Sequence, residues 1–122
     1  LMNNGFTRSA HHLAYPGGYN TKNIHLPVSK NHKSARLNIG TAETIPAANM
    51  YQLHALNGAA SMSYVKSNID KTISRGQWLI LMFHEISDEP AGPACTPEHF
   101  EEIIRYLYEK QAVVLPISQV IK

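Results

Sequence analysis

Six consecutive apolar residues, Trp78-Leu79-Ile80-Leu81-Met82-Phe83, stand between two segments of helical period. A run this short, bounded by Gly76 on one side and His84-Glu85 on the other, predicts a strand buried on both faces. Upstream, Ser61 or Ser63 can cap a helix reaching about Ser74, with Met62, Val65, Ile69 and Ile73 at helical spacing. Gly76 ends it. Downstream, residues 87–95 form a Pro- and Gly-rich loop, and Thr96-Pro97-Glu98 then supplies a cap, a first-turn proline and an early acid. Phe100, Ile103, Ile104 and Leu107 give that helix its apolar face. Residues 112–115 predict another buried strand, and residues 117–121 a last short helix. Strands alternating with helices over short connections define an α/β class with parallel strands.

The first half is less regular. His12-Leu13-Ala14-Tyr15 predicts a short strand stopped by Pro16-Gly17-Gly18. Residues 20–31 fit a helix capped by Asn20 or Thr21, which Pro27 should kink or end. Residues 34–39 fit a strand closed by Gly40, residues 41–52 a loop, and residues 52–57 a short strand before Gly58. The opening Leu1-Met2-Asn3-Asn4-Gly5-Phe6 reads as a helix end with Gly5 in the left-handed position, so the expectation is a chain that is the downstream part of something longer.

Composition narrows the function. A chain of 122 residues has room for one domain. A net charge of +2 argues against nucleic acid or anionic lipid as the main partner. Charged residues are 16% of the chain, against about 25% in ordinary domains, which suggests that part of the surface is covered. The longest apolar run is six residues, and a membrane-spanning helix needs about 20. No basic segment followed by an apolar one opens the sequence, so no signal peptide is expected in it. One cysteine, Cys95, excludes an internal disulfide.

Reactive residues of parallel α/β architectures gather at the carboxyl ends of strands. Two segments qualify: residues 15–20 and Phe83-His84-Glu85. His84, at the mouth of the most apolar strand, is either a general acid or base or a polar residue where a strand surfaces. Glu85 orients it or faces solvent. Tyr15 and Tyr19 either line a sugar site or pack under the turn. Gly17 and Gly18 allow backbone N–H groups to face a developing oxyanion, and any tight turn wants the same pair. His11, His12, His25, His32, His54 and His99 follow no metal-ligand spacing and read as surface or half-buried side chains. Cys95 has no activating neighbour in sequence. Arg36 can reach a carboxylate or a substrate, or lie across the core with its head in water.

Leu13-Ala14-Tyr15-Pro16-Gly17-Gly18-Tyr19-Asn20, Lys33-Ser34-Ala35-Arg36, the run from Trp78 to Ile86, and the segment 96–121 together resemble, in order, the carboxyl-terminal part of polysaccharide deacetylases, carbohydrate esterase family 4. The resemblance implies the carboxyl-terminal portion of a distorted (β/α) barrel of about seven strands. It implies hydrolysis of acetyl groups from N- or O-acetylated sugars by a water activated on a divalent metal, zinc or similar. His84 matches the late histidine that protonates the leaving amine. Met82 matches the residue that walls the acetate methyl. Tyr15, Pro16 and Gly17 match the motif whose backbone N–H holds the oxyanion, with Tyr19 in the same turn.

The departures define what this segment lacks. The family's Thr-Phe-Asp-Asp-Gly and His-Ser/Thr-x-x-His motifs are absent, and with them the base and every metal ligand. The turn motif is one residue shorter than usual, no acidic fourth motif is evident, and Arg36 lies near its place. Four or five strands do not close a barrel, so an open sheet edge is expected, able to meet the missing amino-terminal half or a second copy. The implied substrate is an acetylated glycan, and the implied location is outside the cytoplasm. The alternative is a non-catalytic remnant that binds glycan or a protein partner through the edge and the Tyr15–Tyr19 turn, and a third reading is an unrelated α/β structural domain.

Overall fold

The structure is a computed structural model and describes residues 2–5 and 10–121. After one 3-10 turn at Met2–Asn4, Gly5 takes a positive φ of 80°, the conformation its place after a turn requires. Leu1 and Phe6, the ends of that sequence signal, lie outside the described residues.

Strand β1 (His12–Ala14) pairs in parallel with β2 (Ser34–Arg36), His12 opposite Ser34 and Ala14 opposite Arg36. Helix α1 (Lys22–Asn31) makes the crossover between them. It runs through Pro27 instead of stopping there. Val28, one residue on, is buried against Tyr15 and Ala35, so packing on the strand pair offsets the hydrogen bond the proline removes. Leu13, Leu37 and Tyr51 complete this small core.

Beyond β2 the chain stays extended. The Leu37 N–H donates to the Leu53 carbonyl at 2.8 Å, and the Ala55 N–H to the Ile39 carbonyl at 3.3 Å. These bonds join the first pair to β3 (Leu56–Asn57), which pairs in parallel with β4 (Leu81–Met82). The two parallel pairs, β1-β2 and β3-β4, are linked by a parallel bridge between Arg36 and Leu53; a further parallel bridge joins Ile86 to Cys95, and an antiparallel one joins Glu43 to Trp78. The result is mixed helix and strand with small parallel sheets, and the described residues close no barrel.

Helix α2 (Met62–Ser74) crosses from β3 to β4. Its buried stripe is Val65, Asn68, Ile69 and Thr72, the i, i+3, i+4, i+7 set. The amide of Asn68 and the hydroxyl of Thr72 donate back to the Tyr64 and Asn68 carbonyls, which makes their burial tolerable. Ile73, expected on the inner face, is 45% exposed because it lies a further step round the helix. Helix α3 (Pro97–Glu109) starts where the sequence predicts: the Thr96 hydroxyl accepts the His99 N–H at 3.2 Å. Val65, Ile69 and Ile103 form the second core, with Leu79, Leu81 and Phe83 packed on it. Helix α4 (Ile117–Val120) ends the described chain.

Two expectations change. The run 78–83 is not buried on both faces. Only Leu81–Met82 make a regular ladder, Met82 is its one buried residue, and the others line an apolar groove of about 600 Å³. Residues 112–115 form no strand, and Val113 and Val114 are 83% and 71% exposed. Both segments border the same apolar groove, which α2 and α3 line but do not fill.

Candidate functional site

β1 and β4 belong to separate two-stranded parallel sheets, and each of the two sequence-predicted segments follows the carboxyl end of its strand without a ladder that brings them together.

Tyr15 follows β1 directly. Its N–H donates to the Arg36 carbonyl at 3.1 Å, extending the ladder by one residue. Its ring is 5% exposed, and its hydroxyl donates to the Tyr51 carbonyl at 3.1 Å. Burial raises its pKa, and the neighbouring Tyr51 adds to the effect. The Tyr15 phenol is therefore a neutral core donor that ties the turn to residue 51.

Pro16–Gly18 form a 3-10 turn in which Gly17 and Gly18 both have positive φ, 65° and 73°. The Gly18 N–H is bonded to the Tyr15 carbonyl at 2.8 Å, so it is already engaged within the turn. A side chain at residue 18 would overlap the Asn38 amide, whose nitrogen donates to the Gly17 carbonyl at 3.4 Å. Tyr19 is 77% exposed, and a Cβ on Gly17 would stand 3.2 Å from its ring. Asn20 donates to the Tyr51 carbonyl at 3.2 Å, while its own side-chain oxygen is buried with no partner among the described residues.

His84 lies exposed just past β4, on backbone held from both sides. Before it, the Gly58 N–H donates to the Met82 carbonyl at 2.8 Å. After it, the Cys95 N–H donates to the Glu85 carbonyl, and the Ser87 N–H to the Cys95 carbonyl, both at 3.0 Å. Phe83 is locked edge-to-face on Phe100, centroids 4.9 Å apart, and its ring fills the space where Gly58 lacks a Cβ. His99 closes the support, with Nε2 at 2.8 Å from the Gly58 carbonyl. Met82 is buried behind this end. Glu85 is exposed, and the His84 imidazole has no hydrogen-bond partner among the described residues.

Other candidates resolve as follows. The Arg36 guanidinium donates to the Leu37 carbonyl at 3.1 Å, not to a carboxylate. Cys95 is buried as a free thiol. His54 pairs through Nδ1 with the Glu43 carboxylate at 2.8 Å; the partly buried pair sits beside the Glu43–Trp78 bridge, ahead of β4 rather than beyond it. The side chain of His25 lies outside the described residues. Among the described residues no group of three or more His, Cys, Asp or Glu could hold a metal ion.

Sequence reasoning missed Asn38, Tyr51, Gly58 and His99 as supports. None carries a motif; each acts through a contact more than twenty residues away, and Asn38 is brought to Gly17 by the β1–β2 pairing. No family model, curated protein or solved structure matches the chain.

Proposed function

We propose that the chain is the carboxyl-terminal part of a polysaccharide deacetylase and that His84 is its general acid. The observation that carries this reading is an exposed imidazole on backbone pinned at Met82 and Glu85, just past the carboxyl end of a parallel strand. A proton donor needs access to solvent and a fixed backbone, and His84 has both. In deacetylation its proton goes to the leaving nitrogen as the acyl C–N bond breaks. Met82 walls the acetyl methyl, and Tyr15, Pro16, Gly17 and Tyr19 form the opposite lip. The divalent metal of such enzymes does not fit the described residues, so only the proton transfer is assigned to this chain. The metal, the base and the strands that cover the groove belong to an amino-terminal half, and the acetylated glycan places the enzyme outside the cytoplasm.

The test uses a protein carrying this chain together with that half. His84→Ala lowers kcat on an N-acetylated oligosaccharide by about a hundredfold or more, with bound metal unchanged. Unchanged kcat, or metal lost with the imidazole, overturns the assignment. The exposed Tyr19 ring favours a second reading, glycan binding without hydrolysis. In that case Tyr19→Ala abolishes oligosaccharide binding while His84→Ala leaves it intact.

A further inference from the structure

The groove beside β4 runs along a strand edge and not over one sheet face. Leu79, Ile80 and Leu81 line it in succession, and so do residues 112–115. Successive side chains of a strand point to opposite faces, so a groove that touches Leu79, Ile80 and Leu81 alike follows the strand's edge. Backbone pairing points the same way. On the β3 side, the carbonyls of Ile80 and Met82 accept the Leu56 and Gly58 N–H groups at 2.9 and 2.8 Å. In a parallel ladder alternate residues turn their backbone groups to opposite edges, so those of Leu79 and Leu81 point away from β3. No described residue bonds them there. The backbone groups of Val113 and Val114 have no backbone partner among the described residues either. Ile69, Ile104 and Leu107 supply the helix-side wall. Trp78 lines the same groove with its indole N–H buried and without an acceptor among the described residues.

We propose that this groove is a slot for one extended peptide strand of a partner polypeptide, which adds to the free edge of β4. Such a strand answers two demands at once: its main-chain N–H and C=O groups pair with the open backbone, and its apolar side chains meet the walls. A lipid or a small apolar molecule answers only the second. The size agrees. A strand takes about 4.8 Å of sheet width, about 10 Å of layer depth and about 3.3 Å per residue, so a groove of about 600 Å³ holds roughly four residues. A carbonyl of the incoming strand can also accept the Trp78 indole N–H. A ladder strand of a second copy does not fit, because β1 to β4 each have one edge already paired and the slot needs a strand with both edges free. The slot exists whether or not His84 is a general acid; the deacetylase reading only places the strand on the amino-terminal half.

The experiment titrates the full chain with a synthetic peptide, acetyl-Lys-Val-Ile-Val-Ile-Lys-amide. Trp78 is the only tryptophan of the chain and lines the slot, so its fluorescence reads occupancy. A saturable change at one peptide per chain is expected. The same peptide N-methylated at two alternate apolar residues keeps its side chains and loses main-chain donors, so it should bind at least about tenfold more weakly. Val113→Lys with Val114→Lys sets two charges where the strand would cover them and should weaken binding by at least about tenfold. Tyr108→Lys, exposed and away from the groove, should bind as the parent does. Equal binding of the plain and N-methylated peptides makes the groove a general apolar site and overturns the proposal, as does a response that never saturates. A fluorescence change that grows with protein concentration without peptide, matched by a dimer in sedimentation, gives the slot to a second copy and also overturns it. Circular dichroism of each variant separates lost binding from lost fold. The readout is binding and not turnover, so failure here leaves the role of His84 standing.

Discussion

Residue 18 shows how little latitude the Tyr-Pro turn has. Gly18 has a φ of 73°, and a Cβ there would run into the Asn38 amide. Gly76 has a φ of 59° with open space around it. Gly76→Ala should therefore cost only the conformational penalty, about 1 kcal/mol. Gly18→Ala also forces the exposed Asn38 amide aside and breaks its bond to the Gly17 carbonyl, about 0.5–1.5 kcal/mol more. Urea denaturation of the two variants checks the difference, and equal midpoints would contradict the packing of Asn38 on the turn. His84 is the opposite case. It is exposed, so His84→Ala should leave stability within about 0.5 kcal/mol while removing the proposed proton donor. Loss of stability on that substitution would make the residue structural. The contrast also explains what was legible in sequence. The chain around Tyr15 and His84 could be placed at strand ends from apolar runs and turn residues alone. Which of the two side chains stays in solvent could not, because it depends on Tyr51, thirty-six residues from Tyr15.

Elements are held together by a few polar clasps over small cores. Between α2 and α3, the Asp70 carboxylate accepts the Tyr106 hydroxyl at 2.7 Å and pairs with Lys110 at 2.8 Å. Lys66 pairs with Glu102 at 2.7 Å, and the Lys66 and Lys110 ammonium groups stand 4.9 and 5.0 Å from the Tyr106 ring centroid. The bonds from Lys110 and then Tyr106 hold the Asp70 carboxyl below its ordinary range. The folded chain thus binds that proton more weakly than the unfolded chain. The stabilisation is complete above the unfolded value, near pH ~4, and is lost as pH falls through the lower folded value. Asp70→Asn should flatten this acid limb of the stability curve and leave a uniform loss across neutral pH. That loss shrinks at basic pH, because the Asp70 bond that raises the Lys110 pKa is lost there in the parent too. An unchanged acid limb, read by thermal melts between about pH 2 and 6, would remove Asp70 from the account. Helical periodicity and the Thr96 cap made α2 and α3 readable in advance, because those signals act within one or two turns. The strand expected over 112–115 failed because its burial depends on cover from elsewhere, and an apolar pattern states that demand without supplying it.

At the scale of the molecule the unmet demand is the groove between α2, α3, β4 and residues 112–120. Ile45, Ile73, Ile104, Val113, Val114 and Leu115 border it, all 45% exposed or more. Trp78 lines it with its indole nitrogen buried and unpartnered among the described residues, which costs about 1–3 kcal/mol unless an acceptor arrives. Contiguous apolar surface of this kind is unusual on a finished monomer, and the charged fraction of 16% leaves little to screen it. The chain should therefore bind an environment-sensitive hydrophobic dye while its circular dichroism remains that of a folded protein, which distinguishes it from a collapsed, loosely packed state. Val113→Lys with Val114→Lys should cut the dye signal severalfold, and since both side chains already face solvent, stability should move by no more than about 1 kcal/mol. Tyr108→Lys is the control: Tyr108 is 83% exposed and does not line the groove, so the signal should persist. If the double variant and the control behave alike, the dye reads general surface and not the open side of β4. If only the double variant loses the signal, the groove beside β4 is an apolar surface that these residues leave without cover.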